Sequence, residues 1–265
     1  FQPALEDAIK ELNILENDSD IEDETFTAEN ITLEDQGQGT GIYPLANVTV
    51  TPSGNLSVNP TPNASGAFSF TYMVTDSGGN TSQPATVNVL IEAVNDVPSA
   101  DSKKVEVIEE QPIAITLTAS DIEQSPLTYK IMSVPQSGKI TIINDVVTYT
   151  GNLNFSGADS FTYAAFDQTS WSTPATININ VANVQDLPLI SGSPATNVKQ
   201  DQLYDFTPTA SDVDNDGLSF TINNNMPSWL SFNASTGQLV GTPSNDDVNT
   251  YTNIAIKVFD GTGYT

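Results

Sequence analysis

Carboxylates recur in phase along the chain. In the turns NDSDIED (17–23), TASDIEQ (118–124) and TASDVDND (209–216), Asp20, Asp121 and Asp212 line up, and the last two stand 91 residues apart. Asp76, Asp167 and Asp260 end three similar strands, at separations of 91 and 93 residues. Two copies then close on amide and carboxylate residues: Asn95 and Asp96 in EAVNDVP, Asn183 and Asp186 in VANVQDLP. Acidic side chains two apart in an extended turn point to one side, so Asp121 with Glu123, and Asp212 with Asp214, each present converging carboxylates. A hard cation such as Ca²⁺ takes about six to eight oxygens of this kind. Singly, each Asp or Asn is an ordinary turn residue bonding to its own backbone. Three turns, three strand ends and two linkers in step favour the cation.

Composition narrows the chemistry further. The 265 residues carry 33 Asp and Glu against 7 Lys and Arg, all Lys, for a net charge of −26. Such a surface repels phosphate backbones and anionic membranes, which excludes nucleic acid as a partner. Histidine and cysteine are both absent. There is thus no disulfide framework, no His or Cys zinc site, and no nucleophile–base pair built on either residue. A carboxylate pair could serve a glycosidase, but turns or Ca²⁺ explain every clustered pair, and no enzyme is expected. No apolar run reaches the roughly 18 residues of a membrane span, so no membrane insertion is expected. An extracellular chain without disulfides needs another source of stability, and bound Ca²⁺ is one.

The elements that must position these residues repeat with a period near 91. FSFTYMVTD (68–76) matches DSFTYAAFD (159–167), and SQPATVNVLIEAVND (82–96) matches STPATININVANVQD (172–186). Val87, Val89 and Ile91 alternate with polar residues, as do Ile177, Ile179 and Val181, the period of a half-buried strand. Gly, Pro, Asn and Asp punctuate the runs every 8–12 residues or so, the rhythm of an all-β sandwich. Three tandem modules are expected, at 1–96, 97–186 and 187–265. ALEDAIKEL (4–12) has Leu5, Ile9 and Leu12 at helical spacing. It is read as strand, because its counterpart VEVIEEQPIAITLTA alternates and contains a proline. GQGTG (37–41) lacks the following Lys and helix of a phosphate loop, and is read as a mobile loop.

These features resemble a known group. The ED/EE start, the NDSD-type turn, the GxDSFTY strand and the AVNDxP exit of the first two copies are similar to the cadherin-like tandem repeats of large secreted bacterial adhesins. The third copy, with LSFTINNNMPSWLSFNASTGQLVGTPSNDD after ASDVDNDG, resembles dystroglycan-type cadherin-like, or Ig-like, modules. The resemblance implies immunoglobulin/cadherin-like Greek-key β-sandwiches stacked end to end, with Ca²⁺ at the junctions. Carried over, the first junction would use Glu6, Asn95, Asp96, Asp121, Glu123 and Asp167. The second would use Glu109 or Glu110, Asp159, Asn183, Asp186, Asp212, Asp214 and Asp260. Asp18, Asp20, Glu22 and Asp76 would face a preceding module. The copies also differ: Phe68 stands where the second has Asp159, and Gln185 where the first linker has Asn95.

The reading that follows is a Ca²⁺-rigidified, secreted spacer of a large bacterial surface protein, whose partners are the neighbouring modules. Two alternatives stay open. A glycan-binding accessory module would use Trp171, in a loop-like context, to stack on a sugar of the cell surface. A surface-layer or filament subunit would associate with like subunits.

Overall fold

Alternating apolar residues make each strand a one-faced element that must bury that face against a second sheet. The computed structural model describes residues 3–21, 26–34 and 45–265. Glu22 and the 37–41 loop lie outside the described residues. The architecture is all β, with three tandem Ig/cadherin-like sandwiches.

In the first sandwich, β1 (Ala4–Leu5), β7 (Ala85–Glu92), β6 (Gly66–Val74) and β3 (Ile31–Glu34) form one sheet in that order. The other sheet has the order β2 (Lys10–Leu12), β5 (Leu56–Pro60), β4 (Ala46–Val50). Val87, Val89 and Ile91 point inward with Phe68, Phe70, Leu56 and Val58. Each such side chain contributes roughly 1.5–3 kcal/mol by leaving water. The segment 4–12 is extended, as its alternating counterpart indicated. Ala4 and Glu6 are buried while Leu5 and Ile9 are exposed, and Asp7 (φ 60) breaks the run between β1 and β2.

The second sandwich begins with β8 (Ser99–Ala100), which pairs with β11 (Ala119–Ser120). One sheet follows the order β12 (Thr128–Ser133), β15 (Gly157–Phe166), β16 (Ala175–Ala182), β9 (Lys103–Ile108). The other is β10 (Ile113–Thr116), β14 (Val146–Gly151), β13 (Gly138–Ile143). Tyr149, Phe161, Tyr163, Ile177 and Ile179 fill the space between them. Gly138 lets the strand pass over the Tyr149 ring, where a Cβ would lie 2.5 Å from the ring edge.

In the third module β17 (Leu189–Ser191) pairs with β19 (Thr209–Ser211), and β18 (Tyr204–Phe206), β22 (Leu239–Gly241) and β21 (Leu230–Phe232) form a three-stranded sheet. β20 (Ser219–Ile222) and β23 (Ile256–Phe259) pair alone.

The chain divides into two compact units. One holds residues 1–100, 118–130 and 164–174, and the other 101–117, 131–163 and 175–265. Of the three carboxylate groups described next, one lies entirely within the first unit and two within the second.

Candidate cation sites

In the first unit, the Glu6 amide donates to the carbonyl of Glu92 at 3.1 Å, continuing the parallel pairing of β1 with β7 past its end. This fixes the Glu6 carboxylate at the strand terminus, 3% exposed, where it accepts the Val94 N–H at 2.6 Å. The linker follows at once. The Asp96 amide donates to Glu123 at 3.1 Å, and the Asn95 side-chain amide donates to Asp167 at 2.9 Å. Asp121 uses one oxygen to accept the Ser125 N–H of its own turn at 2.9 Å. Asp167 likewise accepts the Thr169 and Ser170 amides, each at 2.6 Å. Oxygens of Glu6, Asp96 and Glu123 all lie within 4.8 Å of one another.

The second unit repeats this arrangement. The Glu109 amide donates to Ala182 at 3.1 Å, and its buried carboxylate accepts the Val184 N–H. The Asp186 amide donates to Asp214 at 2.8 Å. Asp212 accepts the amides of Asp214 at 2.9 Å and Asp216 at 3.2 Å. Asp260 accepts those of Thr262 at 2.5 Å and Gly263 at 2.6 Å. Oxygens of Glu109, Asp186 and Asp214 form one group within 4.8 Å, and those of Asp212, Asp214 and Asp216 another.

The oxygens left over are the informative ones. Among the described residues, five buried side-chain polar atoms lack a hydrogen-bond partner. Four of them are carboxylate oxygens: Oδ2 of Asp96, Asp121, Asp212 and Asp260. In the last three, Oδ1 is anchored by its own turn, so the second oxygen is held rigidly and bare. Buried acceptors without partners are costly and rare in native proteins. Hard divalent cations coordinated by oxygens would satisfy them, and the donor set fits such ions.

Electrostatics points the same way. Burial, then the charges of Glu123, Asp7 and Asp121, raise the Asp96 carboxyl above its ordinary value. For Asp167, burial pushes upward, but the Ser170 amide, the Asn95 side chain and the Thr169 amide outweigh it and hold the carboxyl low. The Gly263 amide leads the same effect at Asp260, against burial.

Other expected residues stand apart from the groups. Glu110 is exposed with φ 62 and turns the chain away from Glu109. Asn183 is exposed and aligns with Ala93, while Gln185, in the place of Asn95, bonds to Asp216. Asp159 spends both oxygens on protein donors: the amides of Gln136, Ser137 and Ser160, and the Tyr149 hydroxyl. Asp18 accepts the Tyr72 hydroxyl, and Asp76 caps its own turn through Asn80. With Asp20 they belong to no three-carboxylate group among the described residues. Trp171 stacks on Phe166 at 4.7 Å across a hairpin, with the Lys130 ammonium 5.8 Å from its ring. Asp216 and Asp7 are additions. Asp216 continues the Asp-x-Asp spacing and was open to sequence reading. Asp7 carried no signal.

The tyrosine contacts yield a pH prediction. Burial, then Asp18, pushes the Tyr72 hydroxyl from 10.0 up to about 12. Burial, then Asp159, also raises Tyr149, and burial alone raises Tyr204. A phenol whose folded pKa exceeds its unfolded one contributes stability in full below the unfolded value, and loses it as pH rises through the folded one. An ultraviolet titration is expected to show these three ionising late, between pH 10 and alkaline unfolding, with Tyr72→Phe removing one late step. Uniform ionisation at the ordinary phenol value would contradict the contacts.

The profile of the family described as Bacterial Ig domain matches residues 3–90 and again 95–180. The chain belongs to the bacterial Ig-domain family. A second profile, described as "Putative Ig domain", matches residues 187–265 of this bacterial Ig-domain chain. Among solved structures, the protocadherin gamma B2 extracellular cadherin domains 1–5 are similar with TM-score 0.53 and 16% identity, over 81% of this chain and 47% of that one. The protocadherin gamma B4 extracellular domain gives 0.50 and 18%, over 87% and 42%. The protocadherin gamma B7 EC3–6 cis-dimer structure gives 0.50 and 15%, over 87% and 63%. The chain thus spans less than two thirds of each, and the likeness shows the fold alone. No curated protein matches. Bacterial Ig domains are typically non-catalytic and usually extracellular. No helix among the described residues is long and apolar enough to cross a membrane.

Proposed function

We propose that this segment is a Ca²⁺-rigidified, non-catalytic spacer of a large secreted bacterial surface protein, probing outward as part of an adhesin. The observation that carries the reading is the four bare, buried carboxylate oxygens, two of which, on Asp96 and Asp212, belong to three-carboxylate groups. Glu6, Asp96, Asp121 and Glu123 would hold an ion in the first, with Asn95 and Asp167 aligning the linker. Glu109, Asp186, Asp212, Asp214, Asp216 and Asp260 would hold ions in the second. The modules are taken as 1–96, 97–186 and 187–265. Bound cations would cancel the repulsion among carboxylates and tie each linker to the turns beside it. Without them each linker is a short hinge.

Calorimetric titration of the intact chain with Ca²⁺ tests this. Saturable binding is expected with Kd on the order of 10⁻⁴–10⁻³ M. Asp96→Asn should remove one class of site and Asp186→Asn another, each leaving the other class in place. Binding undiminished in the double variant, or none in the parent, would end the proposal.

A further inference from the structure

In the second sandwich β13 is the outermost strand of its sheet, with β14 on one side and, among the described residues, no strand on the other. Every residue of β13 pairs with β14, from Gly138 with Gly151 to Ile143 with Val146. It is 6 residues long, where the corresponding edges β4 and β21 have 5 and 3. Natural edges are blunted by shortness, proline, bulges or inward-pointing charge. β13 carries no proline, no bulge and no inward charge.

The ladder fixes which groups are free. The Asn152 amide donates to the Ser137 carbonyl at 2.8 Å, and this pair continues the register of β13 with β14. Bonding direction alternates along an antiparallel strand. Lys139, Thr141 and Ile143 therefore turn their backbone groups toward β14, and Gly138, Ile140 and Ile142 turn theirs to the open edge. Side chains alternate as well. Tyr149 and Val147 are buried, so Ile140 and Ile142 opposite them face inward, while Lys139, Thr141 and Ile143 face outward. Ile142 is nevertheless 37% exposed, and Ile143 75%.

Charge decides what can approach this edge. At a net −26, two copies of the chain repel over most of their surface. Residues 131–158 hold only two charges, Lys139 and Asp145, and these cancel.

We propose that β13 pairs with β13 of a second copy, antiparallel about a two-fold axis at Thr141. Two three-stranded sheets would then join into one of six strands. Opposed residues share a face and a bonding direction, so even positions must oppose even ones and odd oppose odd. Two such registers match five residues of the strand. Centred on Ile140, the pairing sets Lys139 diagonal to the Lys139 of the second copy. Centred on Thr141, it sets Lys139 diagonal to Asp145 of the second copy, within reach of a long side chain, twice over. Charge thus chooses the second register. In it Ile140 and Ile142 exchange the hydrogen bonds left open, on both sides of the axis.

Sedimentation of the intact chain in Ca²⁺ tests this, at concentrations up to about 500 µM because one strand pair makes a small, weak interface. The mass is expected to rise toward twofold. Thr141 is exposed and faces outward, so replacing it spares the core. Thr141→Lys and Thr141→Glu should each keep the chain single, since like charges then meet across the axis. An equimolar mixture of the two variants should regain the dimer. A parent that stays single throughout overturns pairing with a second copy. Variants that dimerise as the parent does overturn the use of this edge, and a mixture that stays single overturns the register.

Discussion

In about 10 mM Ca²⁺ the chain is expected to melt roughly 10–20 °C higher than in excess chelator. A hundredfold excess over a Kd near 10⁻⁴ M stabilises the folded form by about 2.7 kcal/mol per site. For a sandwich of this size each kcal/mol is worth about 4–8 °C. The effect should be confined to transitions of the sandwiches that contribute ligands, and Mg²⁺ should not reproduce it. Mg²⁺ demands a tighter octahedron and sheds water reluctantly, which oxygens held fixed by their own turns cannot readily accommodate. Superimposed melting curves with and without Ca²⁺ would reduce the carboxylate groups to turn residues and solubilising charge.

The second large effect falls on Asp159. Replacement by Asn should cost about 3 kcal/mol, equally with Ca²⁺ and with chelator, and should leave Ca²⁺ binding unchanged. Its Oδ1 accepts the Gln136 and Ser160 amides, and its Oδ2 the Ser137 amide and the Tyr149 hydroxyl. An amide nitrogen on either side would face backbone donors that cannot reverse, although the Tyr149 hydroxyl could rotate. The first sandwich has no equivalent network: buried Phe68 fills the position instead. A carboxylate that its own repeat can exchange for a phenyl ring is here a means of packing a sandwich. Weaker Ca²⁺ binding by Asp159→Asn would return it to the second junction, where the resemblance places it.

The strands were open to sequence reading because a period of two depends only on which face is buried, as Val87, Val89 and Ile91 show. The segment 4–12 was harder, since Leu5, Ile9 and Leu12 satisfy a helical spacing as well. Burial of Ala4 and Glu6 with exposure of Leu5 decides for the strand. Asp121, Asp167, Asp212 and Asp260 were legible because each sits in a local turn whose spacing repeats. What the sequence could not show is contact at a distance. Asp159 depends on amides more than twenty residues upstream.

The parallel pairing of an early strand with the last strand of a sandwich has a mechanical consequence. Tension applied ahead of β9 and beyond β16 drags these neighbours past each other lengthwise. All six paired positions, from Lys103 with Ile177 to Ile108 with Ala182, are then loaded at once instead of peeling in succession. In the first sandwich, among the described residues, only Ala4 with Ile91 and Leu5 with Glu92 are paired in this way. Resistance to pulling is a matter of unfolding rate, not of equilibrium stability. Under load, the middle sandwich is the stronger clamp and the first the earlier to yield.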